Sequence, residues 1–163
     1  MNLKWIGLFA ALALVAGCSS KSETSGTEQG ATTGGGGITS SSTATPGSEA
    51  DLAQNVGDRV FFEFDKSDLS QEARQTLDRQ AAWLKRYPTV HVVIEGHCDE
   101  RGTREYNMAL GARRANTVKS YLVALGIDPG RLGTVSYGAE RPAVLGTGEA
   151  VWSQNRRGVT VVQ

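Results

Sequence analysis

The sequence predicts an α/β fold (an α+β two-layer sandwich) in the order β-α-β-α-β-(α)-β, with helices packed on a mixed sheet. Three observations predict it. Two short runs, Arg59-Val-Phe-Phe-Glu-Phe64 and Val90–Glu95, alternate with the two-residue period of a strand. Two longer runs, one between them and one after, carry apolar residues at helical spacing. A third cluster of short β-type segments closes the chain. No period of 20–50 residues repeats, which excludes a solenoid.

The elements follow in order. The first strand covers 59–64 and is rich in aromatic side chains. Ser70 is placed to cap the first helix, with Glu72 in its first turn and Pro88 just past its end. Ala73, Leu77, Ala81 and Leu84 form its apolar face. In the second strand Val90, Val92 and Ile94 share one face, opposite His91, Val93 and Glu95. A second helix spans about Tyr106 to Leu125, and Gly126 ends it. Thr134–Tyr137 is a short strand, Glu149–Arg156 a helix and Val159–Val162 the closing strand. The right-handed crossover rule makes the first two strands parallel if they share a sheet.

This domain, residues 52–163, is not the whole chain. Residues 1–17 join Lys4 to an apolar run from Trp5 to Ala16. That is too short for a bilayer span of about 20 residues and fits a secretory leader. It ends in Leu14-Val15-Ala16-Gly17-Cys18, which resembles the lipobox of bacterial lipoproteins, where the cysteine is acylated and becomes the mature N-terminus. Several acyl chains on Cys18, each CH₂ contributing about 0.8 kcal/mol, would anchor the chain in a lipid layer without crossing it. Among lipoproteins an Asp after that cysteine favours inner-membrane retention, so Ser19 favours the outer membrane.

Residues 18–51 read as the lipidated N-terminus and a disordered tether. From Ser19 to Ala50, 22 of 32 residues are Ser, Thr or Gly, too little apolar surface to offset the entropy of ordering. A flexible chain of this length spans about 30 Å on average and about 110 Å when stretched. The distances suit a body anchored in one layer and searching the next.

Composition removes several functions. At 163 residues the chain is too short for a large multi-domain enzyme, and 17 basic against 17 acidic side chains offer no broad basic face to nucleic acid. No CxxC, HExxH or GxSxG spacing occurs, so neither a metal site nor a nucleophile–base set is expected, and no cofactor is implied. Cys98 reads as a small buried side chain. The alternatives there are a reactive thiol or an intermolecular bridge.

Polar residues concentrate in Glu95-Gly-His-Cys-Asp-Glu-Arg-Gly-Thr-Arg-Glu-Tyr-Asn107, at the carboxyl end of the second strand, where α/β sheets place ligands. Asp65 ends the first strand in the same way, so parallel strands would set Asp65 and Asp99 on one rim. In the second helix Leu110, Val118, Tyr121 and Leu125 form a stripe, with Arg114 in its middle and Asn107 two turns earlier. An inward guanidinium needs a partner, either an internal acid such as Asp99 or a ligand anion. A ligand bearing both charges fits the set. Asp99 would meet an ammonium and Arg114 a carboxylate, with orienting bonds from Asn107 and Asp65.

The residues also carry a family resemblance. Phe62-Glu-Phe-Asp-Lys-Ser67, the run Ile94–Gly111, Arg113-Arg-Ala-Asn116, Val135-Ser-Tyr-Gly138 and Asn155-Arg-Arg157 resemble the peptidoglycan-associated lipoproteins, with their outer-membrane protein A-like domain, over about residues 55–163. The resemblance implies an outer-membrane protein that holds the cell wall non-covalently through the diaminopimelate of the stem peptide, as part of the Tol–Pal system in envelope integrity and cell division. It implies Asp99 for the ligand's amino group, Arg114 for its carboxylate, and Asn107 and Asp65 as supporting contacts. Glu63 departs mildly from the family's acid at that position. The implied partners are peptidoglycan, the periplasmic protein TolB with other Tol components, and membrane lipid through Cys18. The competing expectation is a periplasmic scaffold whose charged loop binds only a partner such as TolB.

Overall fold

The computed structural model describes residues 44–163, so the leader, Cys18 and most of the tether lie outside the described residues. The folded body begins before the expected edge at residue 52. Ser48 caps a helical turn, α1 (Glu49–Asp51), by accepting from the Asp51 amide, and the turn continues as π-helix through Leu52–Val56. Asp51 is buried and accepts from Trp83 Nε1 at 2.9 Å and from the Gly47 amide at 2.8 Å, while Leu52 is fully buried. Residues 47–51 therefore belong to the body, not to the tether that their composition suggested. Their Gly and Ser are turn and cap residues, a use that composition alone does not separate from a linker.

Strand β1 is only Arg59–Phe61. The Phe62 amide still donates to the Arg156 carbonyl at 2.9 Å, but the chain then leaves the sheet and reverses at Asp65, the one described non-glycine residue with positive φ, +58°. Helix α2 (Gln71–Arg86) starts at Ser70, whose hydroxyl accepts from the Ala73 amide, and buries Ala73, Leu77, Ala81 and Leu84. Strand β2 (Val92–His97) turns Val92 and Ile94 into the core. Helix α3 (Arg104–Ala124) is capped by Thr103, and Gly126 follows with φ +89°. A 3₁₀ turn, Pro129–Arg131, leads into β3 (Leu132–Gly138); α4 (Glu149–Asn155) and β4 (Arg157–Val162) complete the chain.

The sheet order is β1-β4-β2-β3. β4 runs antiparallel to both β1 and β2, and β2 is parallel to β3. β1 and β2 thus point the same way, with β4 between them. The core lies between the sheet and helices α2 and α3. One contact fixes how closely α3 approaches: a Cβ on Gly96 of β2 would fall 1.9 Å from the Gly111 carbonyl oxygen of α3. Two glycines let backbone meet backbone there, and this seats Asn107 and Arg114 above the end of β2.

Candidate functional site

The carboxyl ends of β1 and β2, the start of α3 and residue 156 enclose a cavity of about 160 Å³. It is lined by Phe64, Asp65, Cys98, Asp99, Arg101, Gly102, Tyr106, Asn107, Leu110, Arg114 and Arg156. All four ligand candidates from the sequence, Asp65, Asp99, Asn107 and Arg114, stand on its wall.

Arg114 is fully buried, as its place on the helix stripe required, but its partners within the chain are backbone carbonyls and not Asp99. Its Nε donates to the Lys66 carbonyl at 2.9 Å, and its terminal nitrogens donate to the carbonyls of His97 at 2.8 Å and Glu63 at 3.1 Å. The reversal at Asp65, closed by the Lys66 amide on the Glu63 carbonyl, brings the 63–66 carbonyls to the guanidinium. Phe62 lies beneath, 5.1 Å from ring centre to guanidinium carbon. Burial pushes the guanidinium pKa down. Of its five N–H groups these bonds use three.

Asp99 forms no ion pair with Arg114; its cations are Arg101 at 2.6 Å and Arg156 at 3.4 Å. Burial works to raise its pKa, but bonds from the Arg101 side chain and amide outweigh burial and hold the carboxyl below the usual range. Asn107 is buried and braces this turn, its Nδ2 donating to the Arg101 carbonyl at 3.0 Å and more weakly to that of Asp99. Asp65 accepts from the Tyr106 hydroxyl, which raises the Tyr106 pKa.

Sequence reasoning assigned no role to Arg101, Arg156, Tyr106, Phe64, Trp152 or Glu149. Arg101 lies between the rings of Phe64 (3.9 Å) and Trp152 (4.0 Å), and Arg156 reaches Glu149 at 2.5 Å as well as Asp99. Arg156 stands in the quoted Asn-Arg-Arg run, and Arg101 in the polar stretch itself. Those were the available signals.

Cys98 is buried, its thiol donating to the Asn107 carbonyl at 3.3 Å, and burial raises its pKa. His97 and Glu95 pair with each other at 3.3 Å and do not line the cavity. A His–Cys–Asp catalytic set is therefore not assembled there. Among the described residues no group of three or more His, Cys, Asp or Glu could hold a metal ion, and no helix is long and apolar enough to cross a membrane. What the cavity offers is a buried guanidinium at its base, two carboxylates on its wall and an aromatic rim. This arrangement suits a small ligand carrying both charges.

A mixed four-stranded sheet under two helices, with a charged cavity at its strand ends, defines the OmpA-like class of domain, and residues 61–156 match the OmpA family. The chain is 50% identical over 161 residues to the peptidoglycan-associated lipoprotein of Rhizobium meliloti, covering 99% of this chain and 88% of that one. It is 56% identical over 112 residues to that of Haemophilus influenzae, covering 69% and 72%. The crystal structure of the peptidoglycan-associated lipoprotein from Burkholderia pseudomallei superposes with a TM-score of 0.66 at 38% identity, over 71% of this chain and 99% of the other. The C-terminal domain of Helicobacter pylori MotB shares the fold alone, with a TM-score of 0.61 at 24% identity over 65% and 84%. The chain belongs to the OmpA family, and within it to the peptidoglycan-associated lipoproteins.

Proposed function

We propose that the chain is an outer-membrane lipoprotein that binds peptidoglycan non-covalently through the diaminopimelate of the stem peptide, linking outer membrane to cell wall. The observation that carries this reading is the single cavity in which Arg114, Asp99, Asn107 and Asp65 converge. Diaminopimelate has a free amino acid head group at the end of its side chain. Its carboxylate fits the two unused N–H groups of Arg114, and its ammonium fits the acidic wall at Asp99. Asn107 holds the Asp99 turn in place, and Asp65 holds Tyr106 at the rim. The role is binding, not catalysis.

In this reading acylated Cys18 supplies the anchor in outer-membrane lipid, residues from 18 onward supply reach, and the domain works in the periplasm. Membership of the family supports a place in the Tol–Pal system, with TolB as partner, serving envelope integrity and cell division. The test is retention of the detergent-solubilised full chain on purified sacculi. Wild type is retained and is released by added diaminopimelate. Asp99→Ala and Arg114→Ala are each lost from the pellet. Retention of both folded variants, or indifference to diaminopimelate, would leave the protein-only scaffold reading in its place.

A further inference from the structure

Asp99 has no acceptor position to spare. A carboxylate offers about four, and four bonds occupy it. Oδ1 accepts from the Arg101 amide and from Arg101 Nε, both at 3.1 Å, and Oδ2 accepts from the Arg101 terminal nitrogen at 2.6 Å and from Arg156 at 3.4 Å. An ammonium group can join this carboxylate only by replacing one of them.

The two arginines are held very differently. Arg156 is 4% exposed and also donates to the Phe62 carbonyl and to Glu149. The Arg101 side chain is 29% exposed, lies 3.9 Å from Glu149, which is itself exposed, and rests over the cavity between two rings carried by other segments, Phe64 from the loop after β1 and Trp152 from α4. Arg101 is the one that can leave without opening the core.

We propose that Arg101 is an internal cation that fills the Asp99 seat in the free protein and yields it to an ammonium-bearing ligand, so that this residue sets affinity and selectivity. The inference rests on the ligand class proposed above and deepens it. The exchange swaps cation for cation: Asp99 stays paired, Arg156 stays in place, and the Arg101 guanidinium passes to water, where its hydration is restored. A dicarboxylate without amino groups has nothing to exchange and leaves Arg101 seated. The apparent affinity for an ammonium ligand is thus reduced by the fraction of molecules in which the seat is filled.

The test is calorimetric titration of the full chain in detergent micelles with meso-diaminopimelate and with pimelate, its analogue lacking both amino groups. Arg101→Met keeps an apolar chain between the two rings but cannot bond Asp99. It should tighten diaminopimelate binding about tenfold and leave pimelate unchanged, while Arg101→Lys, which restores a competing cation, stays near wild type. In wild type, the ¹⁵N signal of Arg101 Nε–H should move to the position of a free arginine on adding diaminopimelate. Equal or weaker binding by Arg101→Met, or an Nε–H signal that keeps its place in the complex, overturns the exchange. If wild type binds no diaminopimelate, the reading of the cavity itself falls and the exchange falls with it; if wild type binds and only the Arg101 results fail, the exchange alone is wrong.

Discussion

Arg114 and Asp99 line one cavity and form no ion pair with each other. Arg114 is bonded to three carbonyls, and Asp99 to two other arginines. The cationic and anionic poles of the site are thus fixed separately. Asp99 is neutralised by Arg101 and Arg156, and Arg114 is satisfied by neutral carbonyls. A ligand that bridges them need not part Arg114 from Asp99; the cation it displaces is Arg101.

Removing the cation should therefore damage the fold as well as binding. Arg114→Ala removes a donor from the carbonyls of Glu63, Lys66 and His97, the last of these bonds buried, and a loss of about 3–5 kcal/mol is expected in urea denaturation. Arg114→Lys restores a charge but not the planar fork, so it should recover less than half of that loss and little sacculus binding. A stability change under about 1 kcal/mol for Arg114→Ala would contradict the carbonyl cradle.

Asp65 should show two separable roles. Its φ of +58° suits glycine and is strained for a β-branched residue. Asp65→Gly should keep the reversal and most of the stability but weaken wall binding through loss of the carboxylate beside Tyr106. Asp65→Val should lose binding and also about 1–3 kcal/mol of stability. Full sacculus retention by Asp65→Gly would show that the carboxylate has no role.

His97 should make the domain acid-sensitive. Its side chain is buried, its Nδ1 lacks a partner, and burial with the neighbouring charges of Arg157 and Arg141 lowers its pKa to about 4. An unfolded histidine titrates near 6.5. Between those values the unfolded chain binds a proton that the folded chain does not, so stability is complete above about 6.5 and falls as pH drops toward 4. The loss should reach at most about 3 kcal/mol. Asp99 and Asp58, held low by arginine neighbours, withdraw their contributions only at still lower pH. Urea midpoints of wild type and His97→Phe between pH 7 and 4 should converge, and parallel curves would show that His97 is not the cause.

Gly96→Ala should be the most disruptive single methyl. The added carbon meets the Gly111 carbonyl at 1.9 Å, and backbone on both sides must move. A loss of about 3 kcal/mol is expected, with weaker wall binding because α3 carries Asn107 and Arg114. Thermal denaturation and sacculus retention measured together would test it, and a variant of wild-type stability would refute the close contact.

The sequence made the regular parts of this domain readable because their causes are local. Ser70 caps α2 and Leu77 faces the core for reasons contained within a few turns of chain. The helical period also turned Arg114 inward correctly, although it put Tyr121 on the core stripe where Leu122 is the fully buried residue and Tyr121 only flanks the core. What periodicity could not supply was a non-local partner. Two of the three carbonyls that receive Arg114 come from residues some fifty positions earlier, in a loop shaped by one left-handed residue. The same reason explains the shortened β1, since residue alternation continues to Phe64 while the hydrogen bonding does not. Arg156 reaches Asp99 across a comparable stretch of sequence, so its charge was visible but its address was not.

The chain enters the body at the pole opposite the cavity. Glu49 of α1 accepts from the Val162 amide, and Val162 pairs with Val92 at the start of β2, whereas the cavity opens beyond His97 at its other end, about 17 Å away. Under the proposed function, with the chain fastened to a membrane on one side and gripping the wall on the other, pulling force would enter at β1 and cross β4 to reach the cavity end of β2. The β1–β4 and β4–β2 ladders would then be loaded in shear, all together, and not peeled apart one after another. In that role the domain is a mechanical link whose tension axis lies along its sheet.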